Sequence, residues 1–366
     1  MSEMFFKDNC KVAVFKAPEG DYRKIVIDYM LKMANIAWTP KETFTINWKN
    51  EGRYPVNLLF EKGQTYHGVT YSNTKGTLDE FEQYSDDGVF EPNSPYYEEI
   101  VGNHCASSIV MAYQQLIDFQ FEGSLKPNPK RGVAVKTVGN LKIPANVFGT
   151  KWDALDLLAY NSKNDVMEAY ALLDAGDTVF FLSKRKSGHI RMVYSKSDVV
   201  RFENGEIDPE NSFVHCIEQT NSWDKTDAAN GKKTTWWVDH KYSFARLYSK
   251  EFVPFTLSVF TSGETLKDAY LIYNGNNTPE TLKDGLSGTI QSNFPLAYVV
   301  AKIKDVTGNV IKKALIYNLP AAYETDLSEL NEKIDYPSLP NGKYTLTLRA
   351  GIARGGCDFE NFTFVK

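Results

Sequence analysis

Two stretches of the chain carry hydrophobic residues at helical spacing. The first, residues 20–36, predicts a helix that follows a short strand in "CKVAVFKA" and ends before Pro40, because proline cannot continue a helix. The second, "CASSIVMAYQQLIDF", predicts a helix that begins at Cys105. Its apolar stripe consists of Ile109, Ala112, Tyr113 and Leu116, widened by Val110 and Ile117.

Between these helices, residues 43–100 are rich in turn-forming and aromatic residues. We expect a long, ordered surface excursion here, of the kind that often shapes a binding site. From residue 151, "KWDALDLLAYNSKNDVMEAYALLDAGD" predicts one or two further helices. The period then changes to two in "TVFFLSKR", "HIRMVYSK" and "FVHCIEQT", which predicts a meander of strands.

From residue 251 onward, alternation with period two dominates, as in "DAYLIYNG" and "NGKYTLTLRAG". This tail of about 115 residues has the size and turn spacing of an all-β, immunoglobulin-like sandwich. A chain of 366 residues also exceeds the size at which single hydrophobic cores stop growing. We therefore predict an α+β fold with one domain at residues 1–250 and a β-sandwich domain at residues 251–366.

Composition narrows the classes of partner. With 41 basic and 46 acidic residues, the net charge of −5 leaves no basic stripe, so we do not expect nucleic acid as a partner. The four cysteines, at positions 10, 105, 216 and 357, lack CxxC spacing, which predicts neither a metal site nor a disulfide framework, and no cofactor is expected. No signal peptide and no membrane span are expected in the chain as given.

Cys105 and His189 are candidates for a nucleophile and its base. A thiol must become a thiolate before it attacks a carbonyl, and a helix N-terminus and a nearby imidazole both favour the charged form. A lone cysteine is more often a buried core residue, so a second signal is needed. His189 supplies it, because it opens a strand after the small Gly188 and is well placed to act as a base toward a cysteine on a facing helix.

The third member of such a site should be a polar residue on the next strand, "FVHCIEQT". Alternation places Glu218 on one face of that strand and His215 and Gln219 on the other, so Glu218 and Gln219 cannot both point at His189. We favour Glu218, because a carboxylate also stabilises the imidazolium. Gln219 stays open as the alternative, and so does the role of Glu218 as a solvated residue of an edge strand.

These segments resemble those of a known family. The helix start "GNHCASS", the "AGD" turn, the "GHIRMV" strand and an upstream "GVTYS" look like the NlpC-type branch of papain-like cysteine peptidases, over about residues 60–250. The resemblance implies a papain-like core with Cys105 as nucleophile, His189 as base and Tyr71 as the tyrosine that commonly borders the nucleophile. Tyr71 and His104 are also predicted to contact the substrate. The family's more usual "DCSG" is "HCAS" here, so His104 replaces an aspartate and either tunes the thiol or faces solvent.

Many members of this branch cleave bacterial cell-wall peptides. The resemblance therefore implies a peptidoglycan stem peptide as substrate, and an extracytoplasmic or cell-envelope location for an enzyme that acts on it. Trp223, Trp236 and Trp237 follow the predicted catalytic strands and are predicted to wall a substrate groove, although core packing is the usual role of at least one of them.

The sequence favours a cysteine peptidase or amidase that hydrolyses an amide bond through a thioester acyl-enzyme. Two alternatives stay open. One is a catalytically inactive papain-like scaffold that binds a glycan or a protein. The other is an amidase or thioesterase that acts on a lipid-linked or small amide, which would need a deep apolar pocket.

Overall fold

The computed structural model describes residues 10–50, 52, 55–120, 125–127, 134–143, 154–182, 188–229, 231–317, 319 and 322–366. Within these ranges the fold is mixed α+β and rich in strands, which form five sheets. The α+β class predicted from the sequence is therefore confirmed. In the same ranges, no helix combines the length and the apolar composition needed to cross a membrane.

The helices predicted from periodicity are present. The first is capped by Asp21, whose side chain accepts hydrogen bonds from the backbone N–H groups of Arg23 and Lys24. The helices of the described residues are α1 (Tyr22–Asn35), α2 (Leu78–Glu82), α3 (Cys105–Tyr113), α4 (Ala154–Tyr160), α5 (Lys163–Ala171), α6 (Lys225–Ala229), α7 (Phe244–Ser249), α8 (Val259–Ser262) and α9 (Asn331–Ile334).

The strands are short in the first third of the chain and longest near its end. In chain order they are β1 (Lys11–Phe15), β2 (Ala37–Pro40), β3 (Phe44–Ile46), β4 (Leu58–Phe60), β5 (Tyr66–His67), β6 (Ser85–Asp86), β7 (Val89–Phe90), β8 (Val135–Thr137), β9 (Thr178–Phe181), β10 (His189–Asp198), β11 (Phe213–Gln219), β12 (Lys233–Thr234), β13 (Trp236–Ser243), β14 (Val253–Leu257), β15 (Ala269–Asn274), β16 (Thr289–Ser292), β17 (Leu296–Lys304), β18 (Val310–Tyr317), β19 (Glu324–Asp326), β20 (Lys343–Ile352) and β21 (Gly355–Val365).

A six-stranded sheet has the strand order β13-β11-β10-β9-β14-β8, and all neighbouring strands in it are antiparallel. It contains the predicted meander, because β9, β10 and β11 lie side by side. Helix α3 contacts β10 and β11. Apolar residues of all three elements are fully buried in one core cluster, among them Ile109 of α3, Ile190 of β10 and Ile217 of β11. The sheet and α3 therefore form a rigid frame on which side chains from both can meet.

The described residues between 43 and 100 (43–50, 52 and 55–100) form strands and a helix, and they pack into the core and do not form the predicted surface excursion. Their strands have only two or three residues each and belong to two small sheets, with the orders β12-β5-β2-β7-β6 and β3-β4. Four of their aromatic side chains are buried around Trp38, with ring centroids 4.8–6.1 Å away; these are Phe60, Tyr66, Phe81 and Phe90. Strands this short show no repeating pattern, so the burial was not visible in the sequence.

The last part of the chain, together with β1 from its beginning, forms two four-stranded sheets, β1-β15-β16-β19 and β18-β17-β20-β21, which share a second hydrophobic cluster. The predicted alternating strands are confirmed here. Three strand pairings cross the predicted division at residue 250. Strand β1 pairs with β15, and β14 lies between β9 and β8 in the six-stranded sheet. Backbone hydrogen bonding is therefore continuous across that position.

The β20–β21 hairpin contacts the end of α3. Arg354 donates hydrogen bonds to the backbone oxygens of Gln115 (2.9 Å) and Leu116 (2.8 Å), just beyond that helix. The side chain of Gln115 in turn donates to the backbone oxygen of Ala353 at 2.7 Å. A cation at a helix C-terminus satisfies free carbonyls and opposes the helix dipole. The C-terminal sheets thus support the helix whose other end carries Cys105.

Candidate active site

Cys105 is the first residue of α3, and the chain before it is held tightly. Asn103 donates its backbone N–H to the oxygen of Thr70 (3.0 Å) and accepts from the N–H of Ser72 (2.8 Å). Gly102 passes so close to this segment that an added Cβ would lie 2.1 Å from the backbone oxygen of Thr70. Only glycine permits that approach. The start of α3 is therefore fixed against residues 70–72.

His104 is the N-cap of α3. It is buried, and its Nδ1 accepts a hydrogen bond from the backbone N–H of Ala106 at 3.2 Å. The backbone N–H of His104 donates to Oγ of Ser107 at 2.9 Å. Of the two predicted roles for His104, exposure to solvent is wrong. Its Nδ1 also lies 4.0 Å from Sγ of Cys105. While Nδ1 accepts from Ala106 it carries no proton, so it cannot at the same time donate to the thiolate.

The thiol of Cys105 is electrostatically coupled to His189. Burial alone raises the pKa of Cys105, but the charge of His189 and hydrogen bonds from His104 and His189 outweigh burial and lower the pKa to about 5. Because His104 is committed to the helix cap, we attribute the lowering mainly to His189. The lowered pKa favours the thiolate form of Cys105 near neutral pH.

His189 is the first residue of β10, where it pairs with Phe181 of β9. Its Nε2 is hydrogen-bonded to Oε2 of Glu218, which leaves Nδ1 as the nitrogen available to the thiol. Burial by itself lowers the pKa of His189, but the charge and hydrogen bond of Cys105 and those of Glu218 raise it to about 9. The lowered pKa of Cys105 and the raised pKa of His189 both favour a thiolate–imidazolium pair at neutral pH.

Glu218 is held by three donors in a nearly closed environment, with a side chain that is 2% exposed. Besides its contact with His189, it accepts hydrogen bonds at Oε1 from Nε of Arg191 (2.8 Å) and from the hydroxyl of Tyr242 (2.5 Å). Burial raises the pKa of Glu218, but the hydrogen bond of His189, the charges of Arg191 and His189, and the hydrogen bond of Tyr242 lower it to about 2. Glu218 is therefore an ionised, fully coordinated carboxylate, not a solvated one.

The other polar residues of β11 lie away from His189. Gln219 is fully buried and donates from Nε2 to the backbone oxygen of Val69 at 2.8 Å. His215 lies near the surface, between Oδ1 of Asp239 (2.5 Å) and Oδ2 of Asp198 (2.9 Å). Alternation along β11 therefore separated these residues correctly from Glu218.

The structure places the predicted substrate-binding aromatic residues in different surroundings. Tyr71 is bridged to Asn103, two residues before Cys105, and its ring stacks on Tyr97 at 5.2 Å. Trp223 packs on Phe60 and Tyr66, with ring centroids 5.2 and 5.6 Å away. Trp223 therefore joins the aromatic cluster that residues 43–100 form around Trp38.

The neighbouring tryptophans on β13 differ from each other. Trp236 is fully buried and donates from Nε1 to the backbone oxygen of Val69, which does not fit the predicted role in a groove wall. Trp237 pairs across the strands with Glu218 and packs its ring against His240 at 4.8 Å. Of the three tryptophans, Trp237 alone lies directly opposite a member of the candidate site in the sheet.

Two residues of the site were missed in the sequence. Arg191 lies two residues after His189 on β10, so alternation places both on one face, and that signal was available. Tyr242 could not be found in this way. Tyr242 belongs to β13 and pairs with Val214 of β11, which lies four positions before Glu218. A register shift between Cys216 and Glu218 lies between that pair and Glu218.

All four cysteines are free thiols. The pKa of Cys105 is lowered, whereas burial raises the pKa of Cys216 and of Cys357. In the described part of the chain, no group of three or more His, Cys, Asp or Glu side chains is arranged to hold a metal ion. Comparisons of this chain with protein-family models, with curated proteins and with solved structures gave no match.

Proposed function

We propose that the chain is a cysteine hydrolase in which Cys105, His189 and Glu218 act as a catalytic triad on an amide bond. The observation that carries this proposal is an imidazole at the start of β10 whose Nε2 is held by a buried carboxylate, together with a thiol at a helix N-terminus whose pKa that imidazole lowers. A cysteine with a purely structural role in a core would be expected to have a raised pKa, as Cys216 does through burial.

In the proposed reaction, Sγ of Cys105 attacks the carbonyl carbon and a C–S bond forms. The C–N bond breaks as the imidazolium of His189 donates its proton to the leaving nitrogen, which gives a thioester and a free amine. A water molecule then attacks the thioester through its oxygen, and His189 takes a proton from this water. The C–S bond breaks, the acid product leaves, and the thiolate and imidazolium are restored.

The developing oxyanion needs hydrogen-bond donors near Sγ. The backbone N–H of Cys105 is at the first position of α3, where helical N–H groups have no acceptor within the helix. We propose that this group donates to the oxyanion. Glu218 keeps the ring of His189 oriented and stabilises its positive charge during the reaction.

The substrate class rests on the resemblance to the NlpC-type branch of papain-like peptidases. On that ground we propose a peptidoglycan stem peptide as substrate and a papain-like core made of residues 1–250 together with β14. From the alternating strands of the tail we propose an immunoglobulin-like sandwich made of residues 251–366 together with β1. The buried His104 is compatible with the resemblance, because it caps α3 at the position where the family's usual motif has aspartate, which is also a good N-cap.

The test is incubation with purified peptidoglycan fragments, with products identified by mass. We expect pairs of products whose masses add up to the mass of the substrate plus one water molecule. Cys105→Ala should abolish cleavage, and Cys357→Ala, at a thiol away from the site, should not. Retention of the fragments without cleavage would instead support a binding scaffold, and cleavage only of small or lipid-linked amides would assign a different substrate.

A further inference from the structure

Arg191 and Glu218 form an enclosed ion pair directly behind His189. The side chain of Arg191 is 15% exposed, and its Nε donates to Oε1 of Glu218 at 2.8 Å. The guanidinium carbon lies 4.2 Å from the ring centroid of Tyr242 and 4.2 Å from that of Phe252. A guanidinium held by two rings and a carboxylate has little freedom to move.

Strand β11, which lies between the strands of Arg191 and Tyr242, carries a small side chain on the face that also carries Glu218. Arg191 belongs to β10 and Tyr242 to β13, and β11 lies between them. On β11, the buried Cys216 shares a face with Glu218, and it interacts electrostatically with Arg191 and Tyr242. Tyr242 adds its hydroxyl to the same oxygen, Oε1, that Arg191 contacts. Two donors thus fix one oxygen and leave Oε2 for His189.

This arrangement solves a chemical difficulty of a carboxylate behind the base. An unshared negative charge next to His189 would stabilise its imidazolium strongly and make it a poor acid toward a leaving group. A neutral acceptor would avoid this but would give up the stabilisation of the charged ring. An ion pair that still accepts the N–H of His189 lies between these limits.

We propose that Arg191 is a positioning residue that shares the charge of Glu218 and aims it at His189, with Tyr242 assisting at the same oxygen. The proposal rests on the proposed function, because it assigns a role within that triad. Arg191 acts through Glu218 and is not itself a catalytic residue.

The charged and titratable groups around His189 come from four strands or helices of the described chain. Helix α3 contributes the thiolate that pairs with the imidazolium, and β11 contributes the carboxylate that binds Nε2. By strand or helix, these groups are Cys105 of α3 and its N-cap His104, Arg191 of β10, Cys216 and Glu218 of β11, and Tyr242 of β13. Among them, Arg191 is the only side chain that is a cation at every working pH, so its removal has a defined sign.

The test measures how fast iodoacetamide labels Cys105 as a function of pH, followed by the mass of the peptide that contains it. The wild-type protein should show a lower inflection, where the ion pair forms, and an upper one, where His189 loses its proton. In Arg191→Met the cation is lost and an apolar chain remains between Tyr242 and Phe252. The upper inflection should then move to higher pH, by about one unit, because the imidazolium faces an uncompensated carboxylate.

Two further variants keep the proposal falsifiable if Arg191→Met does not fold. Arg191→Lys retains the charge and should restore most of the wild-type profile. Tyr242→Phe removes one donor and keeps the ring, so its upper inflection should move in the same direction by less. Arg201→Met is the matched control, because Arg201 pairs with Glu168 in an exposed ion pair, and its profile should equal that of the wild type.

An unchanged upper inflection in Arg191→Met, with only a lower melting temperature, would mean that Arg191 is merely structural and would overturn the proposal. If Arg191→Met does not fold, an unchanged inflection in Tyr242→Phe together with a shifted one in Arg191→Lys would overturn it equally. A wild-type profile with a single inflection near that of a free thiol, about 8.5, would be a different result. It would remove the ion pair and with it the proposed function.

Discussion

Glu218→Gln probes the centre of the site with almost no change in shape. The carboxylate uses both oxygens, Oε2 toward His189 and Oε1 toward Arg191 and Tyr242. An amide has one oxygen and one NH2 group. If its oxygen faces His189, the NH2 meets the donors of Arg191 and Tyr242, and if it is turned around, the NH2 meets the N–H of His189. At least one set of hydrogen bonds is therefore lost.

The size of the effect follows from the pKa of Glu218, which falls from an ordinary 4.5 to about 2 in the folded chain. At about 1.4 kcal/mol per pKa unit, the native surroundings favour the carboxylate by about 3 kcal/mol. A group with a depressed pKa adds stability above its unfolded pKa and loses it as the pH falls toward the folded value. The full contribution is thus present at pH 7 and declines between about pH 4.5 and 2.

The assay is urea unfolding of the wild type and of Glu218→Gln at pH 7 and at pH 3. We expect the variant to be less stable by about 3 kcal/mol at pH 7, and the difference to shrink to less than half of that at pH 3, where the wild-type carboxylate begins to protonate. Turnover of a cleaved substrate should fall by about a hundredfold or more, because the orientation and charge of His189 are both disturbed.

Glu168→Gln is the matched control. Glu168 also pairs with an arginine, Arg201, at 2.7 Å, but both side chains are at least 40% exposed, so the cost should stay below about 1 kcal/mol. The reasoning is refuted if Glu218→Gln is as stable as the wild type at pH 7. It is also refuted if the loss of stability is the same at pH 3 as at pH 7, since the effect would then not come from the charge.

Three further outcomes are expected. Limited labelling with iodoacetamide near pH 6 should modify Cys105 first, because its pKa is lowered to about 5 while that of Cys357 is raised by burial; peptide mapping that finds Cys10 or Cys357 labelled first would contradict this. A chain that ends at Lys250 should fail to fold by circular dichroism and limited proteolysis, because it lacks β14 inside the six-stranded sheet and Arg354 at the end of α3; a soluble, cooperatively melting fragment would show that these contacts are dispensable. His215→Gln should destabilise the protein at pH 5 and have little effect at pH 9. Burial lowers the pKa of His215, but Asp198 and Asp239 outweigh burial and raise that pKa. The stability that a raised pKa contributes is lost as the pH rises through the folded-state pKa. Equal losses of stability at pH 5 and pH 9 would exclude a contribution from the charge of His215.

Much of the local structure follows from the sequence. The spacing of apolar residues defined α1 and α3, and the change of period marked β9, β10 and β11. The separation of Glu218 from Gln219 followed from alternation alone, because successive side chains of a strand must point to opposite faces. These features depend on residues that are neighbours in the chain, so a local pattern is enough to reveal them.

What surrounds the site was decided by contacts between distant parts of the chain. His104 became a buried helix cap instead of a solvent-exposed neighbour, and Trp236 entered the core while Trp237 stayed beside Glu218. Strand β14 was inserted into the six-stranded sheet from beyond the predicted division. None of these outcomes has a periodic signal, because each depends on which segment arrives next to it in space.

The sequence by itself determined which residue types stand at the start of α3, at the start of β10 and on one face of β11. The tertiary structure decided that Glu218 is an ionised carboxylate, because that state requires Arg191 from one neighbouring strand and Tyr242 from the other. The register that brings Tyr242 within reach includes an irregularity in β13, where Asp239 has a left-handed backbone. Pairing between strands is set by long-range packing, and the pKa of a buried group is set by whatever that packing places around it.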